Sequence, residues 1–216
     1  SFPMCGFAGF ADFGQGLVQP PQLSLDLVRR MVRRIAHRGP DGQGAHLSQN
    51  CALAHARLAV IDPKNGQQPL SLPWQGRQAT IAYNGELYNA PELRRDLEAL
   101  GFSFSTRCDT EVALAAYLAW GLDCPRRFNG IFALAVDDPA AGRAFLCRDP
   151  FGVKPLFYTL REGRLVFASE IKALFEYPGV RPVVGKEGLR EIFGLGPART
   201  PGCGVFEGIR ELKPGH

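Results

Sequence analysis

The 216-residue chain lacks several features that would place it in common functional classes. Its six cysteines are scattered and form no Cys-x-x-Cys pair, which argues against a disulfide framework and a zinc site. No basic run is interleaved with aromatic residues and the net charge is only +4, so nucleic acid is not an expected partner. No positively charged segment precedes a long apolar run, so neither a signal peptide nor a membrane span is expected. These absences favour a cytoplasmic protein.

Histidine is also scarce, and the chain has no internal repeats. His37, His46 and His55 are spaced nine residues apart, which is not a metal-ligand spacing, so we expect no metal site and a hydrogen-bonding role for each.

A hydrophobic content of 45% is enough for one sizeable core, and the length suggests one domain. Apolar patterns predict strands at 5–10, 51–61, 79–83, 131–136, 144–147, 155–160 and 165–168. Helices are predicted from Ser24, Ala90, Asp109 and Glu170, with a weaker one at 186–193. Hairpin-like links between strands favour antiparallel pairing, so the pattern predicts two packed sheets with helices on their outer faces, an α+β class.

Cys5 directly follows Met4, and a methionine aminopeptidase could remove Met4 because cysteine is small. Cys5 would then carry a thiol and a free α-amine on one residue, which is a nucleophile with its own base. The amine has an unperturbed pKa of about 7.7–8.0, close to the working range of a cellular general base. A buried, inert cysteine is the alternative that the residue alone leaves open.

Four polar positions can be read either as structural or as functional. Arg57 lies in an apolar strand, where it could pair with Asp62 or Glu86 or could bind a substrate carboxylate with its guanidinium fork. Asn84-Gly85 is typical of a hairpin turn, but the side-chain amide and the next N–H could also form an oxyanion hole.

Glu86 could accept from a substrate ammonium group. Asp109 is typical of a helix N-cap, and it too could bind an ammonium group if it faced a pocket. The charged, turn-rich segments 38–41 and 148–155 are interpreted as mainly structural loops.

Taken together, these motifs resemble the glutaminase domain of class II glutamine amidotransferases, within them the asparagine synthetase type. The matching segments include Met-Cys-Gly-Phe-Ala-Gly at 4–9, His-Arg-Gly-Pro-Asp-Gly at 37–42, His-Ala-Arg-Leu-Ala-Val-Ile-Asp at 55–62, Tyr-Asn-Gly-Glu-Leu-Tyr-Asn at 83–89, Cys-Asp-Thr-Glu at 108–111 and Phe-Ala-Ser-Glu-Ile-Lys-Ala-Leu at 167–174. They follow the family order over nearly the whole chain.

The resemblance implies the N-terminal nucleophile hydrolase fold, a four-layer αββα sandwich of two mainly antiparallel sheets. It implies hydrolysis of glutamine to glutamate and ammonia through a thioester on Cys5. Asn84 and Gly85 would hold the oxyanion, and Arg57 would bind the α-carboxylate of glutamine. Glu86 and Asp109 would bind its α-ammonium group, and the backbone of Val60 and Ile61 would line the pocket.

In the asparagine synthetase type, ammonia passes to a second domain that uses ATP and Mg, whereas the glutaminase domain itself needs no cofactor. No Gly-rich pyrophosphate-binding loop occurs here, so that activity is expected of a longer parent chain. We expect residues 1–4 to be a tag remnant or short propeptide with the initiator Met, residues 5–185 to be the amidotransferase domain, and residues 186–216 to lead to the synthetase domain. Members of the family are often dimeric, so a homodimer is a further expected partner.

Three alternatives stay open. The same chemistry could feed another acceptor, such as a sugar phosphate. The domain could be a glutamine-binding module without activity. Finally, His55 or His37 could serve as the base of a Cys–His hydrolase.

Overall fold

The chain folds into two stacked antiparallel sheets in the computed structural model, which describes residues 4–58, 66–196 and 199–216. The first sheet has six strands in the order β10-β8-β9-β1-β3-β2. Its strands are β1 (Gly6–Ala11), β2 (Gly42–Leu47), β3 (Cys51–Arg57), β8 (Phe157–Arg161), β9 (Arg164–Ala168) and β10 (Ile209–Glu211).

The second sheet has four strands in the order β4-β5-β6-β7, and all of its pairings are antiparallel. Its strands are β4 (Leu70–Trp74), β5 (Arg77–Leu87), β6 (Gly130–Asp138) and β7 (Arg143–Arg148). The long strand β5 pairs with β6 as far as Leu87, whereas β4 covers it only up to Ile81. Among the residues that the structure describes, one edge of the last part of β5 therefore has no neighbouring strand.

The described residues form five α-helices, and the first four of them pack on the outer faces of the sheets. The five helices are α1 (Pro21–Arg33), α2 (Ala90–Ala99), α3 (Asp109–Trp120), α4 (Ile171–Leu174) and α5 (Lys186–Leu195). Apolar residues of α1 and α4 pack with one face of the six-stranded sheet, and those of α2 and α3 pack with one face of the four-stranded sheet. No helix in the described ranges is both long enough and apolar enough to span a membrane.

A third apolar cluster lies between the two sheets, and it includes Phe7, Leu53, Ala82 and Phe167. Side chains alternate between the two faces of a strand. Phe7 and Ala11 of β1 therefore belong to this inner cluster, while Ala8 and Phe10 pack under α1. The layers run helix, sheet, sheet, helix, which is the four-layer sandwich that the sequence predicts.

Several predicted boundaries were wrong. Helix α1 begins at Pro21, and Ser24 is buried inside it instead of capping it, because proline suits the first turn of a helix. Strands β2, β4 and β10 were missed. β2 contains two glycines, β4 carries Pro73 on a sheet edge and β10 has only three residues, so none has a clear strand signature.

Candidate functional site

A cavity of about 270 Å³ opens where the start of β1, the end of β3, the last part of β5 and the start of α3 meet. All six predicted site residues within the described part of the chain border it. They are Cys5, Arg57, Asn84, Gly85, Glu86 and Asp109. The two other predicted residues, Val60 and Ile61, lie outside the described residues.

Cys5 stands immediately before β1 and is half-buried. Its Sγ lies 3.5 Å from the carbonyl oxygen of Leu58, and the Leu58 N–H donates to the sulfur at 3.3 Å. Burial raises the pKa of the thiol, while the Leu58 contact and the positive charges of Arg57 and Lys154 oppose that rise. The thiol therefore needs a base to form the thiolate near neutral pH.

The main chain of Cys5 is anchored from its carbonyl side. The carbonyl oxygen accepts a hydrogen bond from Arg38 Nε at 3.1 Å, and Arg38 Nη1 pairs with Glu170 at 2.9 Å. His37 and Lys172 also contact Glu170, at 3.0 and 3.2 Å. On the amino side of Cys5, Met4 borders the cavity.

Asn84 and Gly85 lie in the middle of β5, so the predicted turn at this dipeptide was wrong. They pair with Ala133 and Phe132 of β6, and the ladder overrides the local turn preference. A Cβ at position 85 would collide with the carbonyl oxygen of Ile131, which explains why glycine is needed there.

The amide nitrogen of Asn84 is buried and has no hydrogen-bond partner within the described ranges. A buried polar atom without a partner costs about 1–3 kcal/mol, so such atoms are uncommon outside functional sites. Asn84 is 2% exposed and borders the same cavity as Cys5. Its Nδ2 is thus a donor that a molecule in the cavity can use.

A second donor at this point follows from the hydrogen bonds along the open edge of β5. The Tyr83 N–H donates to Gln68 Oε1 at 2.7 Å, and the Leu87 N–H donates to Asp109 Oδ2 at 2.9 Å. Alternate N–H groups of a strand point to the same edge. The Gly85 N–H, midway between those two, therefore points to the open edge that borders the cavity.

Asp109 is the first residue of α3, and Cys108 takes the N-cap position that the sequence assigned to Asp109. The carboxylate instead accepts from the Tyr83 hydroxyl at 3.1 Å as well as from Leu87. Burial raises the pKa of Asp109, and these donors oppose the rise. Glu86 is exposed at the rim of the cavity, so the two carboxylates border it at different depths.

Arg57 is the last residue of β3 and borders the cavity on the opposite sheet from Asn84. The cavity thus combines one cation from the six-stranded sheet with two carboxylates from the other half of the sandwich. This charge pattern complements a small molecule that has a carboxylate at one point and an ammonium group at another.

Neither His55 nor His37 is among the described residues that line the cavity. His55 is fully buried, and its Nε2 lies 3.0 Å from the carbonyl oxygen of Tyr83 in the facing sheet. Burial lowers its pKa to about 4. His37 lies at the surface beside Glu170. Both contacts favour structural roles for these histidines.

Gln68 and Lys154 line the cavity but were not predicted as site residues from the sequence. Gln68 donates to Thr110 Oγ1 at 3.2 Å while it holds the Tyr83 N–H, and Lys154 projects from the 148–155 segment that was interpreted as structural. The only available signal was a polar or charged residue next to proline in each segment, and this is also what an ordinary loop contains.

The family model for the glutamine amidotransferase domain matches residues 4–216. The chain belongs to this family. The amidotransferase domain is 46% identical over 213 residues to asparagine synthetase (glutamine-hydrolysing) 3 of Bacillus subtilis, which covers 99% of this chain and 34% of the relative. It is 39% identical over 171 residues to asparagine synthetase (glutamine-hydrolysing) 1 of the same organism, covering 79% of this chain and 26% of that protein.

The amidotransferase domain thus spans about a third or less of the length of these relatives. Among solved structures, an allosteric regulatory enzyme of purine biosynthesis superimposes with a TM-score of 0.64 at 23% identity, covering 80% of this chain and 43% of that one. At that identity the similarity concerns the fold. The predicted family and the predicted sandwich fold are both confirmed.

Proposed function

We propose that the amidotransferase domain hydrolyses glutamine to glutamate and ammonia with Cys5 as an N-terminal nucleophile. The observation that carries this proposal is the buried amide nitrogen of Asn84, which has no hydrogen-bond partner among the described residues and borders the same cavity as the Cys5 thiol. A nucleophile and an unused donor at one cavity are what acyl transfer through a tetrahedral oxyanion requires.

The reaction begins when the α-amine of Cys5 takes the thiol proton and Sγ attacks the side-chain carbonyl carbon of glutamine. The Asn84 amide and the Gly85 N–H stabilise the oxyanion that forms. The carbon–nitrogen bond of the side-chain amide then breaks, and the α-ammonium group of Cys5 gives its proton to the departing ammonia. Water attacks the resulting thioester, the carbon–sulfur bond breaks, and glutamate and the thiol are released.

The ends of glutamine suit the charges around the cavity. Arg57 binds the α-carboxylate, and Asp109 and Glu86 bind the α-ammonium group. The backbone at Val60 and Ile61 completes the pocket in this proposal. A cavity of about 270 Å³ is small, which suits an amino acid better than a large substrate.

The amine becomes available only when Met4 is removed, because an amide nitrogen at Cys5 cannot serve as a base. Met4 also borders the cavity, so its removal enlarges the space next to the thiol. The anchor from Arg38 holds the carbonyl side of Cys5 and does not involve residue 4.

The ammonia would serve a synthetase domain of a longer protein, as the names of the Bacillus subtilis relatives suggest. ATP and Mg would belong to that domain. Within residues 4–58, 66–196 and 199–216, no three His, Cys, Asp or Glu side chains are grouped so that they could hold a metal ion. We propose a cytoplasmic location and leave a homodimer as a further expectation.

The test compares glutamate release from glutamine by three proteins of verified intact mass. One begins at Cys5, one retains Met4, and one begins at residue 5 with the Cys5→Ser substitution. We expect turnover only in the first protein. Equal turnover with Met4 retained would refute the amine as the base, and turnover in the serine variant at the same rate would refute the thiol as the nucleophile.

A further inference from the structure

Lys154 is a cavity residue for which the proposed reaction has no role so far. Its ammonium group is half-buried and donates to Met4 Sδ at 3.2 Å, next to the nucleophile. Lys154 forms no salt bridge in the described part of the chain, although two carboxylates border the same cavity. Its charge therefore acts on whatever occupies the amino side of Cys5.

The segment before Lys154 is built to hold this residue in place. The Lys154 N–H donates to Asp149 Oδ2 at 3.1 Å, and its carbonyl oxygen accepts from Arg148 Nε at 2.7 Å. Asp149 is fully buried and also accepts from the backbone of Phe151 and Val153. All of these hydrogen bonds involve the backbone of the segment. They therefore fix the position of the Lys154 Cα, and they should be retained when the Lys154 side chain is replaced.

Charged and ionisable groups from the 148–155 segment and from several other segments surround Lys154 and Cys5. They are Arg38, Arg57, Tyr83, Glu86, Cys108, Asp109 and Asp149, with Glu170 paired to Arg38 behind them. Burial lowers the pKa of Lys154 and Arg38 adds to this, whereas Cys5, Asp149 and Glu86 oppose it. The negative charges among these neighbours thus favour the cationic form of Lys154.

Resting on the function proposed above, we propose that Lys154 is a positioning residue for glutamine hydrolysis, whose positive charge keeps the α-amine of Cys5 unprotonated so that it can take the thiol proton. Two ammonium groups at one small cavity repel each other, and this disfavours the protonated amine. The same repulsion helps the amine, once protonated, to pass its proton to the departing ammonia.

The size of the effect follows from the ordinary pKa of an α-amine, about 7.7–8.0. At pH 7 only about one amine in seven is then unprotonated. A decrease of about one pKa unit, modest for a neighbouring like charge, would leave the amine more than half unprotonated. The gain in competent enzyme at pH 7 is about fourfold.

The test measures kcat/KM for glutamate release over about pH 5.5–9 in proteins that begin at Cys5, because this parameter reports the ionisations of the free enzyme. Lys154→Met removes the charge at similar length, and Lys154→Arg retains it. Lys186→Met is the matched control, because Lys186 is an exposed lysine on α5 that does not border the cavity.

We expect Lys154→Met to move the acid limb of the profile up by about one pH unit, which is about a tenfold loss on that limb and little loss near pH 9. The arginine variant and the Lys186 control should keep the original limb. An equal loss at every pH, or a higher KM with an unchanged profile, would overturn the proposal, because a structural or substrate-binding role would give those results.

A second measurement does not depend on turnover. The rate at which iodoacetamide alkylates Cys5 reports the thiolate fraction, so its pH profile should also move upward in Lys154→Met. An unmoved alkylation profile would overturn the role of Lys154. If the alkylation profile moves upward in Lys154→Met while the parent protein releases no glutamate, the proposed function fails and the role in glutamine hydrolysis fails with it, and only the effect of Lys154 on the ionisation of Cys5 stands.

Discussion

Replacing Asn84 with alanine should separate catalysis from stability. The Asn84 amide nitrogen has no partner in the described ranges, so the substitution breaks no hydrogen bond made by that atom and removes a buried polar group. Removing an unpaired buried polar group stabilises the folded protein, and this offsets the loss of the van der Waals contacts of the Asn84 side chain. We therefore expect the free energy of unfolding to change by less than about 1 kcal/mol.

Catalysis should respond quite differently. Loss of one oxyanion donor costs about 100- to 1,000-fold in kcat, or about 2.7–4 kcal/mol. KM for glutamine should change little, because the donor acts mainly in the transition state. The assay is glutamate release by the protein that begins at Cys5, together with urea denaturation of the same sample.

Asn50→Ala is the matched control for Asn84→Ala. The Asn50 amide donates to the carbonyl oxygen of Asp12 at 2.8 Å, and Asn50 does not border the cavity. This variant should lose about 1 kcal/mol of stability and keep its kcat. The oxyanion argument is refuted if Asn84→Ala keeps kcat within about fivefold of the parent, or if its loss of activity is matched by a loss of stability.

Three further outcomes are expected. Arg57→Ala should raise KM for glutamine by about 30-fold or more, because it leaves a bound carboxylate without its partner; steady-state kinetics measure this, and an unchanged KM would contradict the assignment. The pKa of His55 is about 4 in the folded protein, against an ordinary value of 6.5, so the unfolded chain binds a proton first as the pH falls. The free energy of unfolding should therefore decrease by roughly 3 kcal/mol between pH 6.5 and pH 4. Urea denaturation at both ends of that range should show this loss in the parent and a smaller one in His55→Gln. Arg148→Met should lower the free energy of unfolding by about 3 kcal/mol, because the buried Arg148 pairs with the half-buried Glu211 at 3.0 Å and also donates to three backbone carbonyl oxygens; a change below about 1 kcal/mol would argue against a structural role for the 148–155 segment.

The layered fold could be predicted because its main signals are local. The short apolar run of β1, the alternation in β3 and the helical spacing in α1 and α2 were clear in the sequence. A hairpin turn was one of two interpretations of residues 84–85, because the rule for Asn-Gly considers only neighbouring residues. The pairing with β6, more than 45 residues away, decided otherwise.

The site could be predicted in composition but not in arrangement. Residue types and the family resemblance supplied the nucleophile, the cation and the carboxylates. The open edge of β5, however, exists only because β4 ends its pairing at Ile81. The position of Lys154 at the cavity depends on the buried carboxylate of Asp149, which accepts hydrogen bonds from backbone N–H groups of Val153 and Lys154. Both facts belong to the tertiary structure, and no short motif encodes them.

The position of the cavity across the seam between the two sheets has a consequence for how the domain responds to a bound molecule. Arg57 belongs to one sheet and Cys5 directly precedes a strand of that sheet, whereas Asn84 and Glu86 belong to the other. A molecule that contacts both acts as a reversible cross-link between layers otherwise joined mainly by apolar packing. Its binding free energy is therefore added to the stability of both layers at once. Slowly exchanging amides in the two sheets should gain protection together, and the sandwich should unfold more cooperatively with the cavity filled.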